Sequence, residues 1–337
     1  MEKNKRAVVV GCGAIGPVHA QMLYECQGAQ LLGVCDIVGE RTQNLAAEYH
    51  CKTYDSYAQV LADPEVDVVH ICTPHYLHAP MAREAARHGK HLVIEKPFAM
   101  NREEAEALGA ELSVQQVKIC CVLQNRYTPC MQKMKEIVDS GDYGAVMGGR
   151  GLLTWQRTAD YYRSGAWRGR WETEGGGLLI NQAVHLLDLL TYVGGECASL
   201  VGTIANRTLQ DVIEVEDTAE ATLYTKKGKI LHFFATNGYC ANTPFDLEIV
   251  LEKAMLRFQN NKLYLQQGDT VEEVASNKST QTGKAYWGNG HRNLIQAFYR
   301  ALQGESDDYT SIAQGVAAVR LVDGIYQSAK TGKRVTL

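Results

Sequence analysis

Two stretches of this chain have residue types and spacing that suit chemistry. In LVIEKPF, residues 92–98, an apolar run that reads as a buried strand ends on Glu95 and Lys96 before Pro97 stops it. A lysine there loses water, which disfavours its charge. It either snorkels beside Glu95 or presents its ammonium to a ligand oxygen in a cleft. In WETEGGGLLINQAVHLLDLL, residues 171–190, three glycines open a helix on which Asn181, His185 and Asp188 recur at spacings of four and three. That spacing sets them on one stripe of an otherwise apolar helix, and the stripe must face something polar. His185 is then either a hydrogen-bonded core group or an acid/base that takes a hydroxyl proton as hydride leaves the same carbon.

A third pattern binds rather than reacts. GCGAIG at Gly11–Gly16 fits G-x-G-x-x-G, follows AVVV directly, and opens a helix carrying Ile15, Val18, Met22 and Leu23. Such glycines let the backbone turn and approach a pyrophosphate, while the helix N-terminus offers N–H groups and a positive end. Asp36 ends the next strand, twenty residues beyond Gly16, where a carboxylate accepts hydrogen bonds from an adenosine ribose. The other reading is a turn that only packs helix on strand, with Asp36 as a helix cap. An acid there repels a 2′-phosphate, which favours NAD; Arg41 nearby acts the other way, so NADP stays possible.

The elements that hold these residues follow from periodicity. From Arg6 to about Leu123, apolar runs at Ala7–Val10, Leu31–Cys35, Val66–Cys72, His91–Ile94 and Lys118–Leu123 alternate with helix-like segments such as 79–88 and 103–112. Near-continuous apolarity means strands covered on both faces, and the β/α alternation predicts a doubly wound parallel sheet. Ligands bind at the carboxyl edge of such a sheet, which is where Thr73-Pro74-His75-Tyr76-Leu77-His78 and Glu95-Lys96-Pro97 fall. Beyond about Asn125 the pattern changes. TAEATLY (218–224), ILHFFAT (230–236), 245–251, 255–258 and 262–266 read as antiparallel strands, with turns at Lys226–Lys229 and Asn260-Asn261 and helices near 177–193, 291–303 and 311–329. The expected division is one domain over 1–123 and a second over 124–337.

Composition narrows the partners. At 337 residues, with 45% apolar and 21% charged residues, the chain is globular and long enough for two cores. A net charge of −4 without a basic run argues against nucleic acid. The apolar stretch after MEKNKR is too short for a signal-peptide core, and no segment approaches about 18 apolar residues, so no membrane partner is expected and the protein is read as cytoplasmic. The ten cysteines are scattered without a C-x-x-C, as suits reduced core residues and no zinc. His75, His78 and His185 lack an acid or cysteine at matching spacing, so no metal is expected.

Together GCGAIG, ICTPHYLH, EKP and the GGG-x₃-N-x₃-H-x₂-D helix resemble the glucose–fructose oxidoreductase, inositol dehydrogenase and rhizopine-catabolism family, written Gfo/Idh/MocA. The closing stretches GHRNLIQAFYRAL and VRLVDGIYQSAKTGKRV are similar too. The resemblance implies an NAD(P)-binding Rossmann domain and an α+β domain with a large, mostly antiparallel open sheet that forms homodimers or homotetramers. It implies that Lys96, with a cis bond to Pro97, is the catalytic lysine and His185 the acid/base. The implied cofactor contacts are Gly11, Gly13, Ala14, Ile15, Gly16, Asp36, Ile37, Thr73, Pro74, His75, His78, Glu95, Lys96 and Arg168. Many members carry aspartate where this chain has Asn181, and asparagine can only orient by hydrogen bonds. Members with asparagine often carry a tryptophan-arginine-glycine segment, here Trp167-Arg168-Gly169. By that likeness Trp167 and Arg168 lie near cofactor or substrate, and Arg126 and Tyr127 border the same cleft with Asn181; the alternative is an ordinary surface loop.

The expected activity is NAD(P)-dependent hydride transfer between nicotinamide and a secondary hydroxyl or ketone of a sugar, glycoside, sugar derivative or cyclitol. Arg126, Arg157, Arg163 and Arg168 suit an acidic sugar, although arginines also bind neutral hydroxyls and phosphates. Two rivals remain: an enzyme that keeps NAD bound and cleaves glycosides through transient oxidation, and a dinucleotide-sensing regulator, which would need neither Lys96 nor His185.

Overall fold

A computed structural model describes residues 4–277 and 289–337. The chain runs β1 (Lys5–Val10), α1 (Gly16–Glu25), β2 (Ala29–Cys35), α2 (Gly39–Tyr49), β3 (Lys52–Tyr54), α3 (Tyr57–Ala62), β4 (Val68–Ile71), α4 (His75–Arg87), β5 (His91–Ile94), α5 (Arg102–Ser113) and β6 (Ile119–Cys121). It continues with α6 (Pro129–Ser140), β7 (Val146–Thr154), α7 (Ala159–Arg163), α8 (Trp171–Glu174), α9 (Val184–Gly194), β8 (Cys197–Ala205), β9 (Thr218–Thr225), β10 (Ile230–Thr236), β11 (Asp246–Leu251), β12 (Met255–Gln259), β13 (Lys262–Gln267) and β14 (Thr270–Ser276). The end is α10 (Gly290–Leu302), α11 (Ile312–Thr331) and β15 (Val335–Thr336).

Two compact units result: residues 4–124 with Gly290–Val316, and 125–277 with 289 and Ala317–Leu337. A single cut at 123/124 therefore needs correcting, because α10 packs in the first unit. It buries Leu294, Ile295, Phe298 and Tyr299, and Tyr299 Oη lies 3.1 Å from Nε2 of His70 on β4.

The first unit holds a parallel sheet in the order β3-β2-β1-β4-β5-β6, the doubly wound order of dinucleotide-binding folds. β4 and the last four residues of β1 are entirely buried, which is why their sequences are unbroken apolar runs but for His70. The sequence missed β3, whose Lys-Thr-Tyr has two exposed residues at the sheet edge. Asn101 caps α5 by accepting the Glu104 N–H at 2.9 Å, and Glu104 returns the contact to Met100 N–H at 3.0 Å.

The second unit is a nine-stranded sheet in the order β14-β13-β12-β11-β7-β10-β9-β8-β15, antiparallel except for β10 against β7. Both anticipated turns form: Gly228 at φ 72° closes β9–β10, and Asn260 and Asn261 at φ 52° and 61° close β12–β13. β7, β8, β14 and β15 were not anticipated. The glycines of β7 hide it, yet they are what α9 and the sheet require: a Cβ on Gly151 would press the Leu186 side chain at 3.0 Å. None of the ten cysteines is in a disulfide, and most of them are buried. Among the described residues no helix is long and apolar enough to cross a membrane.

Candidate active site

In the first unit three glycines divide the work of the β1–α1 turn. Gly11 stands at φ 98°, and a Cβ on it would lie 2.5 Å from the Cys72 carbonyl oxygen. A Cβ on Gly16 would strike the Gly11 carbonyl, so this glycine lets α1 begin against its own strand. Gly13 has nothing within 4 Å of a built Cβ. Its side of the turn is open, as a pyrophosphate needs, and Ala14 and Ile15 lead into the N–H groups of the first turn of α1. Asp36 accepts the Cys12 N–H at 2.6 Å on one oxygen and the Val38 N–H at 2.8 Å on the other. It ties the glycine turn to β2 and does not cap α2, whose N-cap is Val38. A carboxylate with two such contacts still has about two lone-pair sites left for a ribose. Ile37 beside it is exposed. The residues present therefore fit a dinucleotide.

The lysine is set in place through its main chain. Glu95 is buried; its Oε1 lies 3.0 Å from His19 Nε2 and 3.4 Å from His291 Nε2, while its Oε2 accepts the Lys96 N–H at 3.1 Å. Burial alone would raise the Glu95 pKa, but the hydrogen bonds from His19 and His291 hold it well below the usual carboxylate range. His19 Nδ1 in turn meets His70 Nδ1 at 2.9 Å, which leads to Tyr299. On the far side of the cis Lys96–Pro97 bond, His78 lies 2.8 Å from the Pro97 carbonyl through Nδ1 and 2.8 Å from the Thr73 carbonyl through Nε2. The ends of β4 and β5, with Thr73, Pro74, buried His75 and half-buried Lys96, are thus one clasped structure. Its anchors His19, His70 and His291 were not singled out from the sequence, because each sits in a different element, far apart along the chain.

In the second unit the glycine-opened helix departs from a simple α-helix. Leu179–Ala183 form a π turn before α9, a feature frequent at functional sites. A Cβ on Gly177 would strike the Glu216 carbonyl. The Glu216 side chain accepts the Gly177 N–H at 3.0 Å, the Leu179 N–H at 2.8 Å and the Tyr326 hydroxyl at 2.9 Å. Burial pushes its pKa up to about 7, against those hydrogen bonds. The polar stripe then has separate partners. Asp188, buried, takes both nitrogens of the Arg126 fork at 2.8 and 2.5 Å, and Arg126 also covers the Tyr192 ring at 4.3 Å. Burial would lower the Arg126 pKa, but the Asp188 carboxylate outweighs it, so the guanidinium stays charged. The Arg126 fork is thus filled by α9, and Tyr127 beside it is buried. His185 is half-buried on the same helix.

Asn181 contacts two residues the sequence reading overlooked, Glu174 and Tyr161. Its Nδ2 donates to Glu174 Oε1 and lies 3.5 Å from Tyr161 Oη; the other Glu174 oxygen accepts the Gly169 N–H at 2.5 Å. Tyr161 Oη also accepts from Arg168 Nη1 at 2.6 Å and Gln182 Nε2 at 3.0 Å. Burial raises the Tyr161 pKa in spite of Arg168, so the phenol keeps its proton. Arg168 stacks at 4.5 Å on both the Tyr161 and Trp167 rings. The 155–168 segment is therefore bound into the same cluster as Asn181 and is no detached surface loop. The alternation of aromatics and arginines from Trp155 to Arg168 was the signal that could have found Tyr161.

Comparison with known proteins identifies the two halves of the chain. Residues 5–123 match the model of an oxidoreductase family with an NAD-binding Rossmann fold, and residues 131–257 match the GFO/IDH/MocA C-terminal domain. The levoglucosan dehydrogenase of Pseudarthrobacter phenanthrenivorans is 24% identical over 97% of this chain and 96% of its own. The D-glucoside 3-dehydrogenase of Escherichia coli is 26% identical over 98% and 97%. Among solved structures, the WlbA dehydrogenase of Bordetella pertussis in complex with NADH and UDP-GlcNAcA is 27% identical, with a TM-score of 0.86 over 99% of both chains.

Proposed function

The chain belongs to the Gfo/Idh/MocA oxidoreductase family, and on that premise we propose that it is an NAD-dependent dehydrogenase acting on a secondary hydroxyl, or the matching ketone, of a sugar, glycoside, sugar derivative or cyclitol. Bound NAD supplies the hydride acceptor. The glycine turn and α1 receive the pyrophosphate, and Asp36 the adenosine ribose. Lys96 binds the reacting oxygen and polarises its bond to carbon; the His185 imidazole takes or returns the hydroxyl proton. Asn181 has a carboxamide, which cannot relay that proton, so its part is to orient. Arg126 keeps α9 in place through Asp188.

The observation that carries this reading is the clasp around Lys96: Glu95 on its amide and His78 on the next carbonyl fix a lysine at the carboxyl end of a parallel strand. A spectrophotometric screen of NAD and NADP reduction against sugars, inositols and glycosides tests it. NAD-linked turnover of one compound class supports it, and no absorbance change with tightly retained cofactor favours redox-neutral glycoside cleavage instead. We further assign the open face of the nine-stranded sheet, where Leu152, Val201, Ile230 and Val250 are exposed, to contacts between copies of the chain in a homodimer or homotetramer. The reduced cysteines suit the cytoplasm.

A further inference from the structure

Four arginines of the second unit offered themselves as candidates for holding an acidic sugar, and the structure separates them. Arg126 is filled by Asp188, and Arg163 pairs with Asp160 at the surface. Arg157 and Arg168 have no carboxylate partner among the described residues. Both stack on one phenol ring, Arg157 at 5.0 Å and Arg168 at 4.5 Å from the Tyr161 centroid, and each is backed by a tryptophan, Trp155 at 4.8 Å and Trp167 at 4.5 Å. Aromatic faces hold guanidinium groups in place and leave their in-plane N–H groups directed elsewhere.

The cluster is also short of acceptors. Arg157 spends Nη1 on the Gln156 carbonyl and Asn242 Oδ1, and its Nε–H is buried without a partner. Tyr161 Oη receives three nitrogens, and their orientations are fixed: Asn181 Nδ2 by the Glu174 carboxylate, Gln182 Nε2 because Gln182 Oε1 accepts from Asn237, and Arg168 because it has donors only. No acceptor among the described residues takes the hydroxyl's own proton. The neighbouring anion, Glu174, already serves Gly169 and Asn181. Two cations, one of them with a buried N–H that has no partner, and a phenol proton thus gather around one ring without a carboxylate among the described residues to pair with the cations. Buried donors of this kind cost stability unless something accepts from them.

We propose that Arg157, Tyr161 and Arg168 form an anion subsite, and that the substrate of this enzyme is a sugar acid whose carboxylate they hold. The proposal rests on the dehydrogenase reading above. A phosphate would suit the same donors, so the test must separate a substrate carboxylate from a cofactor phosphate.

The test is steady-state turnover on matched sets, each hexose with its aldonate and its uronate, for the parent, Arg157→Gln, Arg168→Gln and Tyr161→Phe, with NADH affinity measured by fluorescence. The best substrate is expected to be an acid, exceeding its neutral counterpart by about tenfold or more in kcat/KM. Each variant is expected to lose about ten- to a hundredfold on that acid, mainly through KM, as loss of a charge-assisted hydrogen bond predicts, with NADH affinity in Arg157→Gln and Tyr161→Phe within about twofold of the parent. Higher turnover on the neutral sugars overturns the proposal. So does NADH affinity that falls in step with turnover in Arg157→Gln or Tyr161→Phe, which would assign the anion to the cofactor. If nothing turns over, the dehydrogenase reading fails separately, and thermal shifts of the NADH-saturated protein decide the subsite: stabilisation by acids over their neutral counterparts, lost in Arg157→Gln and Arg168→Gln, supports it, and equal shifts overturn it.

Discussion

The side-chain amide of Asn181 donates to Glu174, a carboxylate with no exposed surface. An aspartate at 181 would set two carboxylates against each other, so that one must take a proton or the pair must part. Asn181→Asp is expected to lower stability by about 1–3 kcal/mol, which is several degrees in Tm, and Glu174→Gln added to it is expected to restore most of the loss. Differential scanning fluorimetry of the singles and the double checks this. An unchanged Tm in Asn181→Asp would show that the two side chains do not meet.

Glu216 links the glycine-opened helix to pH. Its folded pKa, pushed up to about 7 from an ordinary 4.5, means that the unfolded chain gives up this proton first as pH rises. Below the ordinary value both states are protonated and the group costs nothing; through the interval up to about 7 the folded state is progressively penalised, by about 3 kcal/mol in all. Glu216→Gln keeps an oxygen for the Leu179 and Gly177 N–H groups but cannot ionise. Its Tm, relative to the parent's, is expected to rise between pH 5 and pH 8 by several degrees. Parallel Tm curves across that interval would mean that Glu216 is ionised throughout.

Asp36 has two tasks that one substitution separates. As an anchor it holds the Cys12 and Val38 N–H groups, and as a charge it favours a ribose hydroxyl over a 2′-phosphate. Asp36→Ala is expected to weaken NAD by about ten- to thirtyfold and NADP by clearly less, because removing the anion relieves a repulsion that only NADP feels. Equal losses for both cofactors, measured by titration, would leave the anchoring role alone.

The sequence made the glycine loop, the Lys96 edge and the Asn181–His185–Asp188 stripe legible because each is a local pattern on one element. It did not show what holds them. Glu95 is gripped by His19 from α1 and His291 from α10, residues 76 and 196 positions away in the chain, and no periodicity reports such a contact. For the same reason α10 was counted with the second half. β7 was hidden by its own glycines, whose lack of side chains leaves no apolar alternation to read, although α9 presses on Gly151. Glu174 has no pattern in the sequence that marks it, and only its burial beside Asn181 ties it to the candidate site.

The claim at the centre is that Lys96 and His185 work as a unit on one carbon–oxygen bond. Single-turnover hydride transfer, followed by NADH absorbance with the best substrate of the screen, tests it in Lys96→Ala, His185→Ala and the double variant. Each single change is expected to slow transfer by about 10²–10⁴-fold while NADH binding persists, and the double is expected to be no more than about threefold slower than the worse single, as for groups acting together. Losses that multiply in the double variant, or full activity in Lys96→Ala, would contradict it.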